Sequence, residues 1–166
     1  MKLISNKIVL GTAQLDEKYG LKKERKKILP KKMRNIMSYA KSKKIFFLDT
    51  ASSYKNSEKI LSKVNLNGLN ILGKIEKLRQ SKNISKTIRK KIINSKKNLK
   101  IKSFYAYLIH DEKDLYSKKG QEIFQTLLKI KKEGLIKKIG VSIYNFEDLI
   151  KIIKQFKFDL IQLPYN

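Results

Sequence analysis

The sequence predicts an α/β fold of the (β/α)8 TIM-barrel type, with about six of the eight β/α units present. Two observations lead there. Short apolar runs alternate with helical patterns along the whole chain, an order that favours parallel strands joined by right-handed crossovers. Polar residues suited to chemistry fall at the carboxyl end of one run after another, which is where parallel barrels build their sites. A doubly wound sheet gives the same alternation. Against it, no GxGxxG turn follows the first run, and the polar candidates sit at nearly every strand end instead of at one switch point. Periodicity alone does not separate the two.

The first strand is Ile8–Gly11, followed by a polar loop through Lys27. Pro30 suits the first turn of a helix, on which Met33, Ile36, Met37 and Ala40 recur at helical spacing. Ile45–Leu48 is the second strand, closed by Asp49, and Ile60, Leu61 and Val64 mark a short second helix. Asn70–Gly73, closed by Lys74, is the third strand, and Ile84, Ile88 and Ile92 line one face of the helix after it. Phe104–Ile109, closed by His110, is the fourth. Ile123, Phe124, Leu127 and Leu128 define the next helix, which Gly134 suits as a C-terminal cap. Ile139–Val141 is the fifth strand, and Asn145 can cap a helix bearing Phe146, Leu149, Ile150 and Ile153. Leu160–Leu163 is the sixth strand. No Pro-, Gly- or Ser-rich linker interrupts the series, so residues 1–166 are expected to form one domain.

Composition narrows the function classes. A chain of 166 residues can bury roughly two-thirds of its unfolded surface, and an apolar share of 41% is ordinary for a globular protein. Without cysteine, disulfides and Cys-ligated metals are excluded, which fits a reducing compartment. Ser5, Asn6 and Lys7 break any signal-peptide core, and no apolar run approaches the ~18–20 residues of a membrane span. A cytoplasmic protein without a membrane partner is expected. The formal charge of +26 invites a nucleic-acid reading. Yet its arginines are only Arg25, Arg34, Arg79 and Arg89, and the lysines are spread over every helix instead of one face. A solvated lysine surface is the expectation, with no specific nucleic-acid partner.

Asp49, Tyr54, Lys74 and His110 are the candidate catalytic residues. Tyr54 follows Asp49 by five residues, just beyond that strand end. A phenol ionises near pH ~10 in water, and a neighbouring ammonium favours its phenolate; bringing it to neutrality takes about 4 kcal/mol of differential stabilisation. Lys74 on the next strand can supply that ammonium, with Asp49 holding it. His110 can hydrogen-bond a substrate carbonyl oxygen and aim it at Tyr54. Such a set suits protonation of a carbonyl while another group delivers hydride. It holds no strong nucleophile–base pair and no metal-ligand cluster. Asp111 and Glu112, directly after His110, are expected to raise its pKa.

These residues and their surroundings resemble the aldo/keto reductase family. Asp49-Thr50-Ala51 with Tyr54, then Ser57-Glu58 and Leu61, is similar to that family's signature. Gly11-Thr12-Ala13-Gln14 with Tyr19-Gly20 resembles its first strand and loop, and Gly73-Lys74 stands where it carries its catalytic lysine. Leu108-Ile109-His110 resembles its histidine strand. The run Gly134 to Ser142 resembles its fifth strand, and Ile161 to Asn166 its sixth. The matches come in family order over nearly the whole chain.

The resemblance implies a (β/α)8 barrel that reduces aldehydes or ketones with NADPH, NADH being the alternative. It makes Tyr54 the general acid, tuned by Lys74 and Asp49, with His110 orienting the carbonyl. Gly11, Thr12, Ser142 and Gln162 become cofactor-binding residues, the last two through the nicotinamide carboxamide. The Gly-Thr-Ala-Gln opening resembles members associated with sugar and surface-polysaccharide pathways, so a sugar-related carbonyl compound is the implied substrate. Ile143 replaces the Asn that many members carry after the serine, and Lys55 stands where glycine usually follows the tyrosine. Strands seven and eight, which serve the cofactor's phosphates and adenosine in the family, are expected beyond Asn166. The chain therefore reads as a C-terminally truncated member. The competing expectation is a catalytically silent fragment or interaction module that self-associates through open barrel edges.

Overall fold

The computed structural model describes residues 8–15, 28–54, 56–76 and 78–163. Most of the expected polar loop through Lys27, with Tyr19 and Gly20, lies outside the described residues, as do Lys55 and Pro164 to Asn166. Six strands run in chain order: β1 (Val9–Gly11), β2 (Phe47–Asp49), β3 (Asn70–Ile75), β4 (Phe104–Ile109), β5 (Ile136–Ser142) and β6 (Leu160–Gln162). Between them lie α1 (Pro30–Ser42), α2 (Ser57–Leu61), α3 (Ile84–Leu99), α4 (Lys113–Tyr116), α5 (Gly120–Lys132) and α6 (Phe146–Gln155), with a 3-10 turn at Ala13–Leu15.

Every strand pairs in parallel with its sequence neighbour, giving the spatial order β1-β2-β3-β4-β5-β6. That order excludes a doubly wound sheet, whose strand order reverses at a switch point. The sheet is also curled. Four strand spacings separate β2 from β6, about 19 Å if the sheet were flat. Yet the Gln162 amide Nε2 donates to Asp49 Oδ2 at 3.0 Å, which only a rolled sheet permits. Six parallel strands with alternating helices thus form a curled half-barrel, part of a (β/α)8 barrel.

Two apolar clusters match this curvature. The larger joins the outer face of the sheet to the helices through Met33, Met37, Ile71, Ile75, Ile88, Ile92, Tyr107, Leu127 and Val141. The smaller consists of strand residues alone: Leu72, Ala106 and Leu108, with Val9, Phe47, Tyr105 and Leu160 against them. It lines the concave side and forms the floor beneath the strand ends.

Local chemistry sets the helix boundaries. Pro30 occupies the first turn of α1. Asn83 and Asn145 cap α3 and α6 by accepting from the backbone N–H groups of Lys86 and Glu147. Gly134, at φ +75°, takes the left-handed position just after α5. Ile45 is not in β2: its N–H donates to Ala40 O at 2.9 Å and so ends α1 instead of pairing with β1. Val64 lies past the end of α2. Strand β3 runs on through Ile75, which registers with Ile109 at the end of β4, and β5 starts at Ile136, which registers with Phe104 at its beginning. In α6 only Ile152 is fully buried, whereas Phe146, Ile150 and Ile153 are exposed among the described residues. Among those residues no helix is long and apolar enough to cross a membrane.

Gly140 shows how closely the strands approach. A Cβ there meets Leu160 O of β6 at 2.6 Å and the Leu108 side chain at 3.1 Å. Gly140→Ala is expected to destabilise the protein by about 1–3 kcal/mol, since a backbone carbonyl has to move. A urea midpoint equal to wild type would show that β5 and β6 tolerate the shift.

Candidate active site

Asp49 ends β2 and Lys74 is the penultimate residue of β3, both about 6% exposed. Asp49 registers with Leu72, and Lys74 is two residues further along the same face of β3. The alternation therefore brings the two side chains together above the apolar floor. Lys74 Nζ lies 2.7 Å from Asp49 Oδ2. Two opposite charges at that separation offset much of the cost of burying either one.

His110 follows β4 directly, and its backbone N–H donates to Ile75 O at 2.8 Å, which prolongs the ladder by one step. Tyr54 arrives through the turn after β2. Thr50 N–H donates to Leu72 O at 2.9 Å, and Tyr54 N–H to Ala51 O at 3.0 Å. The phenol is buried, and its ring stands edge-on to the His110 imidazole with centroids 6.1 Å apart.

Two hydroxyls fix this turn to the first strand. Thr12 Oγ1 donates to Asp49 O at 2.8 Å, and Ser57 Oγ donates to Thr12 O at 2.8 Å. Thr12 is buried and spends its hydroxyl hydrogen, N–H and carbonyl inside the protein. Gly11, which registers with Asp49 at the end of β1, is exposed.

Ser142 and Gln162, the last residues of β5 and β6, complete the rim. Ser142 Oγ donates to Gln162 Oε1 at 3.0 Å, and Gln162 Nε2 donates to Asp49 Oδ2 at 3.0 Å. One connected chain, Ser142–Gln162–Asp49–Lys74, therefore crosses the mouth of the curl. Beside it is a cleft of about 150 Å³ lined by Lys74, Ser142, Tyr144, Gln162 and Leu163. A hollow of about 450 Å³ lies at the opposite, amino-terminal ends of the strands, among Asn65 to Leu69 and Leu99 to Ser103. It is larger but is lined by none of the candidate residues.

The electrostatics of His110 differ from the sequence expectation. Its pKa is lowered: burial penalises the imidazolium, and Lys74 repels it, against the opposing pull of Glu76 and Asp49. Asp111 and Glu112 do not raise it. Asp111 turns away to Arg79, at 2.6 Å from its guanidinium, and Glu112 lies buried at the start of α4. Glu76 is the carboxylate beside the imidazole, with Oε2 3.4 Å from Nδ1. Tyr107 is no candidate acid, because burial in the outer core pushes its phenol far up.

Asp49 Oδ1, Thr50 Oγ1 and His110 Nδ1 are buried polar atoms without a hydrogen bond in the protein. Such atoms are uncommon in native structures, and these three belong to residues at the same strand ends. Sequence reasoning named Asp49, Tyr54, Lys74, His110, Ser142 and Gln162, and the structure brings all six to one rim. It missed Glu76 and Asp114. The Asp114 carboxylate accepts from the N–H groups of Leu78 and Arg79 at 3.1 and 3.0 Å, and so anchors the segment after β3. Glu76 had a local signal, two residues beyond Lys74. Asp114 had none, because its partners are 35 and 36 residues away.

An ion pair, a phenol and an imidazole thus stand together at the strand ends of a partial (β/α)8 framework. The model of the aldo/keto reductase family matches residues 7–166. The chain belongs to the aldo/keto reductase family. The comparison with curated proteins finds no match.

Solved structures agree on the fold. A Pseudomonas aeruginosa protein assigned as an aldo-keto reductase superposes with a TM-score of 0.76 at 23% identity, over 95% of this chain and 62% of its own. The holo form of an aldo-keto reductase from Bacillus halodurans gives 0.70 at 18% identity, over 95% and 53%. A thermostable aldo-keto reductase in complex with the inhibitor epalrestat gives 0.68 at 22%, over 95% and 58%. The chain thus spans roughly three-fifths of the length of these relatives or less.

Proposed function

We propose that this site reduces an aldehyde or ketone to the alcohol with NADPH or NADH, Tyr54 being the general acid. The observation that carries the reading is the Asp49–Lys74 ion pair at 2.7 Å, set at the same rim as the buried Tyr54 phenol and His110. A buried ammonium favours the phenolate that proton donation leaves behind. Asp49 fixes that ammonium, and His110 orients the carbonyl oxygen toward the phenol. The proton passes from Tyr54 Oη to the carbonyl oxygen as hydride reaches the carbonyl carbon, giving the alcohol and a phenolate that solvent reprotonates. The bound nicotinamide would supply the hydride; the chain supplies orientation and charge.

The hydrogen-bonding capacity of the rim supports a carboxamide there. Gln162 uses one of its two amide hydrogens on Asp49 and one lone pair on Ser142, so one donor and one acceptor remain. Ser142 keeps its acceptor capacity. A primary amide such as that of nicotinamide matches both. In this reading Ser142 and Gln162 hold the carboxamide, and Gly11 at the end of β1 and Thr12 just after it border the cofactor. A small carbonyl substrate, sugar-related by the Gly-Thr-Ala-Gln opening, completes the assignment.

The test is cofactor oxidation by the purified protein with a panel of aldehydes, sugars included. Aldehyde-dependent loss of reduced cofactor, weakened by Gln162→Ala through a higher KM for the cofactor, is expected. A folded protein that neither binds nor oxidises either cofactor favours a second reading, a silent module that associates with another chain. The one-sided pairing of β1 and β6 among the described residues motivates that reading.

A further inference from the structure

Glu76 has no part in the mechanism above, yet its position is fixed on several sides. Lys74 and Glu76 are two residues apart and project to the same side of the β3 line. Continuing the β3–β4 register from Ile75 and Ile109 by one residue sets Glu76 beside His110. The backbone there is pinned by His110 N–H on Ile75 O and by Lys91 Nζ, which donates to Glu76 O at 3.1 Å. Its carboxylate Oε2 then lies 3.4 Å from His110 Nδ1, a buried nitrogen without a hydrogen bond in the protein. A small rotation of either side chain closes that bond. The opposite arrangement, a bare Nδ1 lone pair facing a carboxylate, is repulsive.

We infer that Glu76 is a positioning residue that holds neutral His110 as its Nδ1–H tautomer, leaving Nε2 to face a ligand as an acceptor. The inference rests on the carbonyl-reduction reading for its kinetic consequence. With Nδ1–H held by Glu76, Nε2 donates to a carbonyl oxygen only once a second proton makes the ring an imidazolium. The neutral ring instead accepts from a hydroxyl, and so suits an alcohol. One side chain then recognises the carbonyl compound below its titration midpoint and the alcohol above it. Among the described residues, the charged and titratable groups facing the ring are Lys74 and Glu76 from β3 and its end, Asp49 from β2, and Tyr54 from the following turn. Lys74 disfavours the imidazolium, and Glu76 and Asp49 favour it.

The chain contains one histidine, so the imidazole nitrogen signals of the untagged protein are unambiguous. Nitrogen-15 shifts in the neutral state are expected to show protonated Nδ1 and bare Nε2. Glu76→Gln keeps an acceptor but removes the charge; the tautomer stays and the titration midpoint moves to lower pH. Glu76→Ala removes both, and the population moves toward the Nε2–H form. In turnover, wild-type reduction falls as pH rises through the His110 midpoint. Glu76→Ala flattens that fall, because a neutral Nε2–H still donates to the carbonyl.

An Nε2–H pattern in the wild type, or a nitrogen spectrum that Glu76→Ala leaves unchanged, would overturn the assignment. The spectra need no turnover. If they move as stated while no carbonyl compound is reduced, the role of Glu76 stands and the reductase reading falls. If reduction is observed with unmoved spectra, the reverse holds.

Discussion

Replacing Tyr54 by Phe is expected to lower carbonyl reduction by about 10²–10⁴-fold while leaving cofactor affinity within about threefold of wild type. The ring is buried and packs edge-on to His110, so the variant keeps the apolar contact and loses only the hydroxyl. The loss corresponds to roughly 3–5 kcal/mol of barrier, the size expected for removal of a placed proton donor. Affinity should hold because the proposed carboxamide contacts, Ser142 and Gln162, lie at the ends of β5 and β6, whereas Tyr54 stands in the turn after β2. Cofactor fluorescence titration separates the two quantities. Turnover near the wild-type rate would remove Tyr54 as the acid and direct attention to a His110 imidazolium.

Asp49→Ala is expected to cost about 3–5 kcal/mol of folding stability as well as activity. The change leaves the Lys74 ammonium, 6% exposed, without the carboxylate 2.7 Å away, and it takes from Gln162 the acceptor at 3.0 Å. The double variant Asp49→Ala with Lys74→Met removes the stranded charge and should recover much of that stability. Activity should not return with it, since nothing then favours the Tyr54 phenolate. Denaturation midpoints of the two single variants and the double variant measure the coupling. Simple additivity of the two single effects would mean that the pair contributes little to the fold.

Much of this arrangement was legible in the sequence. Most strands centre on a short apolar run, although β5 opens with Lys137 and Lys138 after Ile136, and Asp49 and His110 are the first polar residues after theirs. Asn145 and Gly134 carried cap signals that the backbone uses as expected. The end of α1 was less legible, because Ile45 has strand chemistry but spends its N–H on Ala40. Helix α4 was missed because four residues cannot show a period. The His110 environment was misread for a related reason. Asp111 and Glu112 are its neighbours along the chain, but the turn after β4 sends Asp111 to Arg79, and the adjacent strand supplies Glu76. The apolar stripe of α6 was visible, but the face that is buried carries Ile152.

The bond between Gln162 and Asp49 also orders events in time. The two residues are 113 positions apart, so their contact closes one of the longest loops in the molecule. Neighbouring strand–helix units pair across far shorter stretches of chain, and contacts of low sequence separation form with the smaller entropic loss. The mouth of the curl is therefore assembled late, after the units that compose it. During refolding, helical signal should return before the rim can bind a ligand, and recovered activity reports the final long-range closure, not the earlier collapse.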